Sequence, residues 1–402
     1  MSSDSPSEKT NEREDQLTSN RPNETPRTYG NRWTALGLLG AAAVIVFLVS
    51  LEFREMWRDP PIYPGPGVTG QGRLSDYFPD IAGTAADTEI YFLEGQEPGG
   101  TALVLGGTHP NEPASSLTAI TMLENAVVNR GRLIVVPRAA HSGFTATDPQ
   151  EGYPQFYHIE TPTGTRRFRY GGRGINPIHQ WPDPVIYVNG SGQQLAGPEV
   201  RNLNRSYPGD PGGYLTERLA YAIVEMIRQE EIDISIDLHE ASPEYPVINA
   251  MVAHEDAMDL AVEAAMMLEF EGIQIAVEPS PENLRGLSHR EWGDATGTKA
   301  ILMESANPIQ GRLRGATNEA LILEGEDPYY LRAGEMGLLY VPFGEDGSPI
   351  EERVGRHMQS VSMLLEVFST YNPDRAIAVD NLPTFAEVME NGLGPFLAPP
   401  EE

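Results

Sequence analysis

Between residues 101 and 304, short apolar runs alternate with stretches whose apolar positions recur at helical spacing. The runs TALVLGG (101–107), RLIVVP (132–137), IDISIDL (232–238), VINAMVA (247–253), IQIAV (273–277) and KAILME (299–304) are rich in Val, Ile and Leu and predict strands. Segments at about 113–129, 214–229 and 255–270, and a later one at 350–371, predict helices. That order implies an α/β fold, a central sheet flanked by helices on both faces. Residues 142–200 break the rhythm: they are rich in Gly, Pro and aromatic side chains, which in a folded domain predicts functional loops.

The N-terminal part follows other rules. Residues 1–32 are polar, charged and aperiodic, and read as a disordered tail. An uncharged apolar run follows from Trp33 to Leu51. At about 1.5 Å per residue it is roughly 28 Å long as a helix, the thickness of a bilayer's hydrocarbon core, so a transmembrane helix is expected over 33–53. A cleaved signal peptide or a buried helix is the alternative; the run lies far from the start and lacks a clear cleavage site, which favours an anchor. Arg21, Arg27 and Arg32 precede the run, and Arg54 and Arg58 follow it. That bias points to an inward N-terminus and an extracytoplasmic catalytic domain. Residues 54–75, including DPPIYPGPGVTGQG, read as a stiff linker. A catalytic domain is expected over 76–375 and a loosely held, Pro-rich acidic tail over 376–402.

Composition narrows the function. A net charge of -30 argues against nucleic acid as a partner, since phosphate binding needs a surplus of Lys and Arg. The absence of cysteine excludes disulfides, thiol nucleophiles and Cys-ligated metal. No GxSxG elbow is present, which disfavours a serine hydrolase.

Four segments carry candidate chemistry. GGTHPNEPAS (106–115) follows a predicted strand and opens a helix. His109 and Glu112, three residues apart, can converge on one ion, and zinc accepts both donor types; taken alone, such a pair is common by chance and reads as a polar helix cap. ISIDLHEAS (234–242) ends an apolar strand in His239, at the sheet edge where α/β folds bind ligands. His239 would complete a His/Glu/His set with a fourth position open, or be a strand-end histidine bonded to Glu240 or backbone. VRNLNRSYPG (200–209) offers Asn204 and the planar fork of Arg205 for a carboxylate, or else a surface ion pair. KAILMESANP places Glu304 at a strand end, where a carboxylate near an activated water could move protons.

In this order the four segments resemble the zinc carboxypeptidase superfamily, including its succinylglutamate desuccinylase and aspartoacylase branch, over roughly residues 85–305. The resemblance implies a mixed central β-sheet and one zinc ion held by His109, Glu112 and His239. It makes Asn204 and Arg205 the clamp on the substrate's free carboxylate, and Glu304 the general base and acid. GLSHREW (286–292) resembles the stretch that builds the side-chain pocket, which would put Arg290 there and favour an acidic side chain. The implied activity is a zinc-dependent hydrolase cutting an amide bond near a free carboxylate, with metal-bound water as nucleophile. Its substrate would be a small peptide (metallocarboxypeptidase) or an N-acyl amino acid (deacylase). A metal-free, membrane-anchored pseudoenzyme that binds peptides or cell-envelope fragments is the alternative.

The chain departs from the superfamily pattern at three points. Asn202 stands where an Asp usually orients the first zinc histidine, giving that histidine a neutral partner. No tyrosine occurs between Pro246 and Glu304. The arginine that polarises the scissile carbonyl has three candidates, Arg138, Arg173 and Arg201. Arg166, Arg167, Arg169 and Arg173 are also expected to form a basic mouth that draws in anions, or else a solvated run paired with local acids.

Overall fold

Apolar residues on all sides mark a helix for the interior of a protein or a membrane. Helix α1 (Arg32–Glu55) is of this kind, has no buried residue, and is long and apolar enough to cross a bilayer. It belongs to the first of two units, Met1–Arg58 and Asp59–Glu402. The computed structural model describes residues 30–55, 57–146 and 153–399; most of the predicted tail, 1–29, lies outside them.

The second unit begins with β1 (Gly70–Arg73), β2 (Glu89–Glu94), β3 (Glu97–Leu105), α2 (Pro113–Asn125) and β4 (Val127–Val136). Two hairpins follow, β5 (Phe156–Thr161) with β6 (Gly164–Arg169) and β7 (Ile186–Val188) with β8 (Gln194–Ala196). Then come α3 (Leu215–Gln229), β9 (Ile234–Ala241), β10 (Ala250–Ala253), α4 (Met258–Phe270), β11 (Ala276–Pro279), α5 (Ser288–Thr296) and β12 (Lys299–Ala306). The chain closes with α6 (Glu319–Leu323), α7 (Pro328–Glu335), α8 (Ile350–Tyr371), β13 (Ala378–Asp380) and α9 (Phe385–Asn391).

The main sheet runs β1-β2-β4-β3-β9-β12-β10-β11, with β13 added to β4. It is mixed: β4, β3, β9 and β12 are mutually parallel, whereas β2 joins β4 and β10 joins β12 antiparallel. Side chains alternate between faces along a strand. Ala102 and Val104 of β3, with Ile234, Ile236 and Leu238 of β9, therefore join the core that also takes residues of α2, α4 and α8. Leu103 and Leu105 join the opposite core, which holds residues of α3 and Trp292 of α5. The same alternation sends Ser235, Asp237 and His239 of β9 to the face opposite Ile234, Ile236 and Leu238.

Two expectations about segment ends change. Residues from Asp59 onward are part of the folded unit rather than a linker off it. Their Pro and Gly content does exclude helix and strand up to residue 69, but the backbone is pressed against α2: a Cβ on Gly67 would lie 2.0 Å from the Ala126 carbonyl oxygen. The segment after 375 is likewise engaged, through β13 on β4 and through α9, where Val388 is buried. Both segments are irregular in sequence, and scattered apolar side chains such as Ile62, Val68, Ile377, Leu393 and Leu397 join the cores without a regular period.

Candidate metal centre

Strand β3 delivers its chain to the site through a turn only glycine makes easily. Gly107 has φ +70°, and a Cβ there would sit 2.9 Å from the Phe144 ring. The turn carries Thr108 and His109 to the sheet's carboxyl edge, and α2 starts at Pro113 directly after Glu112, where a proline's missing N–H costs nothing. Next to β3, Leu105 pairs with Asp237 of β9, and His239 lies abreast of Glu304 on β12. The site thus forms where three parallel strands end.

His109, Glu112 and His239 come together, each almost completely buried. Each offers one ligand atom within 4.8 Å of the other two. His109 Nδ1 is 2.8 Å from Glu112 Oε1 and His239 Nδ1 is 3.0 Å from Glu112 Oε2. The remaining ring nitrogens are held from behind: His109 Nε2 by Asn202 Oδ1 at 2.9 Å, and His239 Nε2 by Asp237 Oδ2 at 2.9 Å. Asp237 is fixed in turn by the Thr108 hydroxyl, which donates to Oδ1 at 2.8 Å. Such outer partners set ring orientation and donor strength in metal sites. Three converging donors of His, Glu and His type, buried and backed in this way, fit a zinc ion with an open fourth position.

The electrostatics of the two imidazoles differ. Burial, reinforced by the Arg173 guanidinium, lowers the His109 pKa to about 4. Burial also opposes charge on His239, but Asp237 and Glu112 outweigh it and raise that pKa well above the usual value. Glu112 is held low by the two histidines in spite of burial. Burial pushes Glu304 up to about 8, and its Oε2 has no hydrogen-bond partner among the described residues.

Of the three arginines considered for the carbonyl, only Arg173 reaches the triad, with Nη1 3.2 Å from Glu112 Oε1. Arg201 grips Asp183 through two bonds of 2.9 and 3.0 Å, and Arg138 donates to the Pro60 carbonyl at 2.5 Å. Arg205 lies near enough to Arg173 for the two charges to disfavour one another. Asn204 is set by its Oδ1, which accepts from the Ser288 N–H at 2.9 Å. Arg173 borders two cavities, one of about 430 Å³ with Asn111, Gln310 and Arg314, the other of about 330 Å³ with Pro177, Glu199 and Asn202.

Two expectations shift here. Arg290 is buried, and its guanidinium serves Ser280 (Oγ 3.1 Å, carbonyl 2.8 Å) and Asp294 (3.2 Å), none of them triad residues. The basic mouth also does not form as a group. Arg166 is buried against Glu124 at 2.6 and 2.9 Å, Arg169 is buried and donates to the Phe144 carbonyl at 2.7 Å, and Arg173 alone faces the triad. Asp237 went unassigned in the sequence; an acid two positions before a strand-end histidine, inside an apolar run, is the signal that could have found it.

No family model and no curated protein matches the sequence. Solved structures do. A succinylglutamate desuccinylase/aspartoacylase from Rhodobacter sphaeroides matches at 17% identity and TM-score 0.30, over 54% of this chain and 51% of its own. An aspartoacylase family protein from Mesorhizobium loti matches at 18% and 0.34, over 62% and 65%. A metallo-carboxypeptidase from Burkholderia cenocepacia matches at 12% and 0.43, over 76% and 66%. The matched part thus spans between about half and two thirds of each of these structures' length.

Proposed function

We propose that the chain is a membrane-anchored zinc hydrolase that cuts an amide bond next to a free carboxylate. One observation carries the reading: His109, Glu112 and His239 converge from two segments 130 residues apart in numbering, and Glu304, abreast of His239, has a buried carboxylate oxygen without a partner among the described residues. A buried polar atom left unpaired costs free energy and calls for a partner supplied by ligand or water. When bound, zinc would supply Lewis-acid polarisation of the carbonyl and a lowered pKa for the attacking water.

The chain's own residues divide the remaining work. Glu304 takes the proton from the attacking water and passes it to the departing amine nitrogen. Arg173 donates to the carbonyl oxygen as negative charge builds on it. Arg205 and Asn204 hold the substrate carboxylate, and the mutual repulsion of Arg173 and Arg205 is relieved when an anion lies between them. Asn202 and Asp237 keep the two imidazoles aimed. Helix α1 is the anchor, with the catalytic unit on the extracytoplasmic side.

Metal analysis of the purified full chain tests the centre: about one zinc per chain is expected, and His239→Ala should abolish it. A panel of N-acyl-aspartate, N-acyl-glutamate and short C-terminal peptides then tests the chemistry. Cleavage of neither substrate kind by zinc-loaded protein sinks the hydrolase reading, and the preferred kind separates deacylase from carboxypeptidase.

A further inference from the structure

From Gly174 to Pro198 the only charged residue is Asp183, in a chain that is 21% charged. Its carboxylate is already occupied by Arg201. The hairpin β7–β8 in this segment turns apolar side chains outward. Tyr187 is buried with its hydroxyl on Glu217 at 2.9 Å, so Ile186 and Val188, on the opposite face, are exposed. Val185 is 94% exposed, Trp181 72% and Ile178 71%. Single exposed apolar residues are ordinary, but a group of large ones from one segment marks an interaction surface.

This segment lies beside the entry of the chain into the folded unit. Asp59, the unit's first residue, bonds His141 Nε2 at 2.6 Å. The adjacent Ser142 bonds His179 Nδ1 at 2.7 Å, and His179 stands between Ile178 and Trp181 in the sequence. Glu55, where α1 ends, precedes Asp59 by four residue steps, so covalent geometry keeps their Cα atoms within about 15 Å.

We propose that the Ile178–Val188 strip docks onto the lipid surface of the bilayer that α1 spans, burying Ile178, Trp181, Val185, Ile186 and Val188 at the interface; this rests on the anchor reading above. A bilayer is the occupant that the short tether brings within reach, and tryptophan suits the boundary between headgroups and acyl chains. The strip holds no Lys or Arg, and the chain's charge is -30, so apolar burial rather than attraction to anionic lipid provides the binding. Pro177 and Pro198 flank the strip and line the 330 Å³ cavity that reaches Arg173 and Asn202. Docking therefore sets that opening against the membrane, where a lipid-attached or surface-bound amide would be met.

The chain has no cysteine, so single nitroxide labels can be placed on the full-length protein in phosphatidylcholine vesicles. The variants V44C, V185C and E345C report on α1, the strip and an exposed loop. Collisional accessibility to oxygen against a water-soluble nickel chelate should be several-fold higher at V44C and V185C than at E345C. An oxygen-favoured V44C with a nickel-favoured V185C overturns the docking and leaves the anchor standing. A nickel-favoured V44C removes the anchor and the docking together. Dipolar broadening between V185C labels on different molecules assigns the strip to a second copy of this chain and also overturns the proposal.

Discussion

Two polar clusters lie side by side at the end of β9, equally cut off from water, and only one of them closes on itself. Glu240 meets Arg353 of α8 at 2.8 Å and accepts the Ala114 N–H at 2.9 Å, while the Arg353 guanidinium also reaches the Ile322 carbonyl. One residue earlier, His239 belongs to the triad, where two imidazoles share one carboxylate and Glu304 Oε2 has no partner among the described residues. Burial alone therefore does not distinguish a structural cluster from a functional one. The distinction lies in whether every polar group is satisfied: the Glu240 cluster ties α2, α6 and α8 to the sheet with its charges paired, whereas beside the triad the Glu304 oxygen is left over among the described residues.

Breaking the open cluster should produce the largest effect. Glu304→Gln keeps the volume and removes the proton carrier, and it should lower kcat about 10²- to 10⁴-fold on the best amide of the panel. Zinc content should stay unchanged, because the triad is intact. Full activity in this variant would remove Glu304 from the mechanism and pass the proton transfers to another group.

The contrast also explains what the sequence could reveal. The central strands were legible because both their faces are buried and they read as continuous apolar runs, as in ISIDL and KAILM. That His109, Glu112, His239 and Glu304 would lie close together was legible because each sits at the end of such a run or on the turn that follows it. Partnerships across long separations were not. Arg166 and Arg169 look like a solvated basic run until Glu124, 42 residues from Arg166, is brought against it. Arg138, Arg173 and Arg201 are equivalent in sequence, and only the folded positions of Asp59 and Asp183 remove two of them from the site. Strand β1 and the segment before it carry no apolar period, since β1 is held by pairing with β2 and the segment before it by the isolated side chains of Ile62 and Val68.

The closed cluster offers the next test. Arg353→Met should leave Glu240 buried beside a neutral side chain and destabilise the fold by about 3–5 kcal/mol in denaturant titrations. Burial already pushes the Glu240 carboxyl up to about 7 in spite of Arg353, and losing Arg353 pushes it further up, so the loss of stability should grow as pH rises through 7 and the ion pair of the parent forms. The double variant R353M/E240L should regain most of the stability, since paired apolar replacement avoids the stranded charge. If the single variant is as stable as the parent, this cluster is not the structural counterpart of the triad.

The smallest effect concerns histidines that lie near the triad without belonging to it. Burial lowers His289 and His357 to about 3, with like charges nearby adding to the shift. Both therefore stay neutral in the fold but take up a proton on unfolding below about pH 6.5, so the unfolded chain binds more protons between these values. Stability is then fully present above pH 6.5 and falls as pH drops toward 3, by about 1.4 kcal/mol per pH unit for each histidine. Asp59 and Asp294 contribute in the same direction: burial opposes their ionisation, but hydrogen bonds from His141 and His254 hold them below the usual range. The difference between two slopes is consequently the useful observable. In EDTA, so that metal linkage is absent, His357→Leu should make the decline between pH 6 and 4 shallower by about 1.4 kcal/mol per unit. Equal slopes would mean that His357 finds a proton-accepting environment in the fold, and that this flank of the triad is as polar as the triad itself.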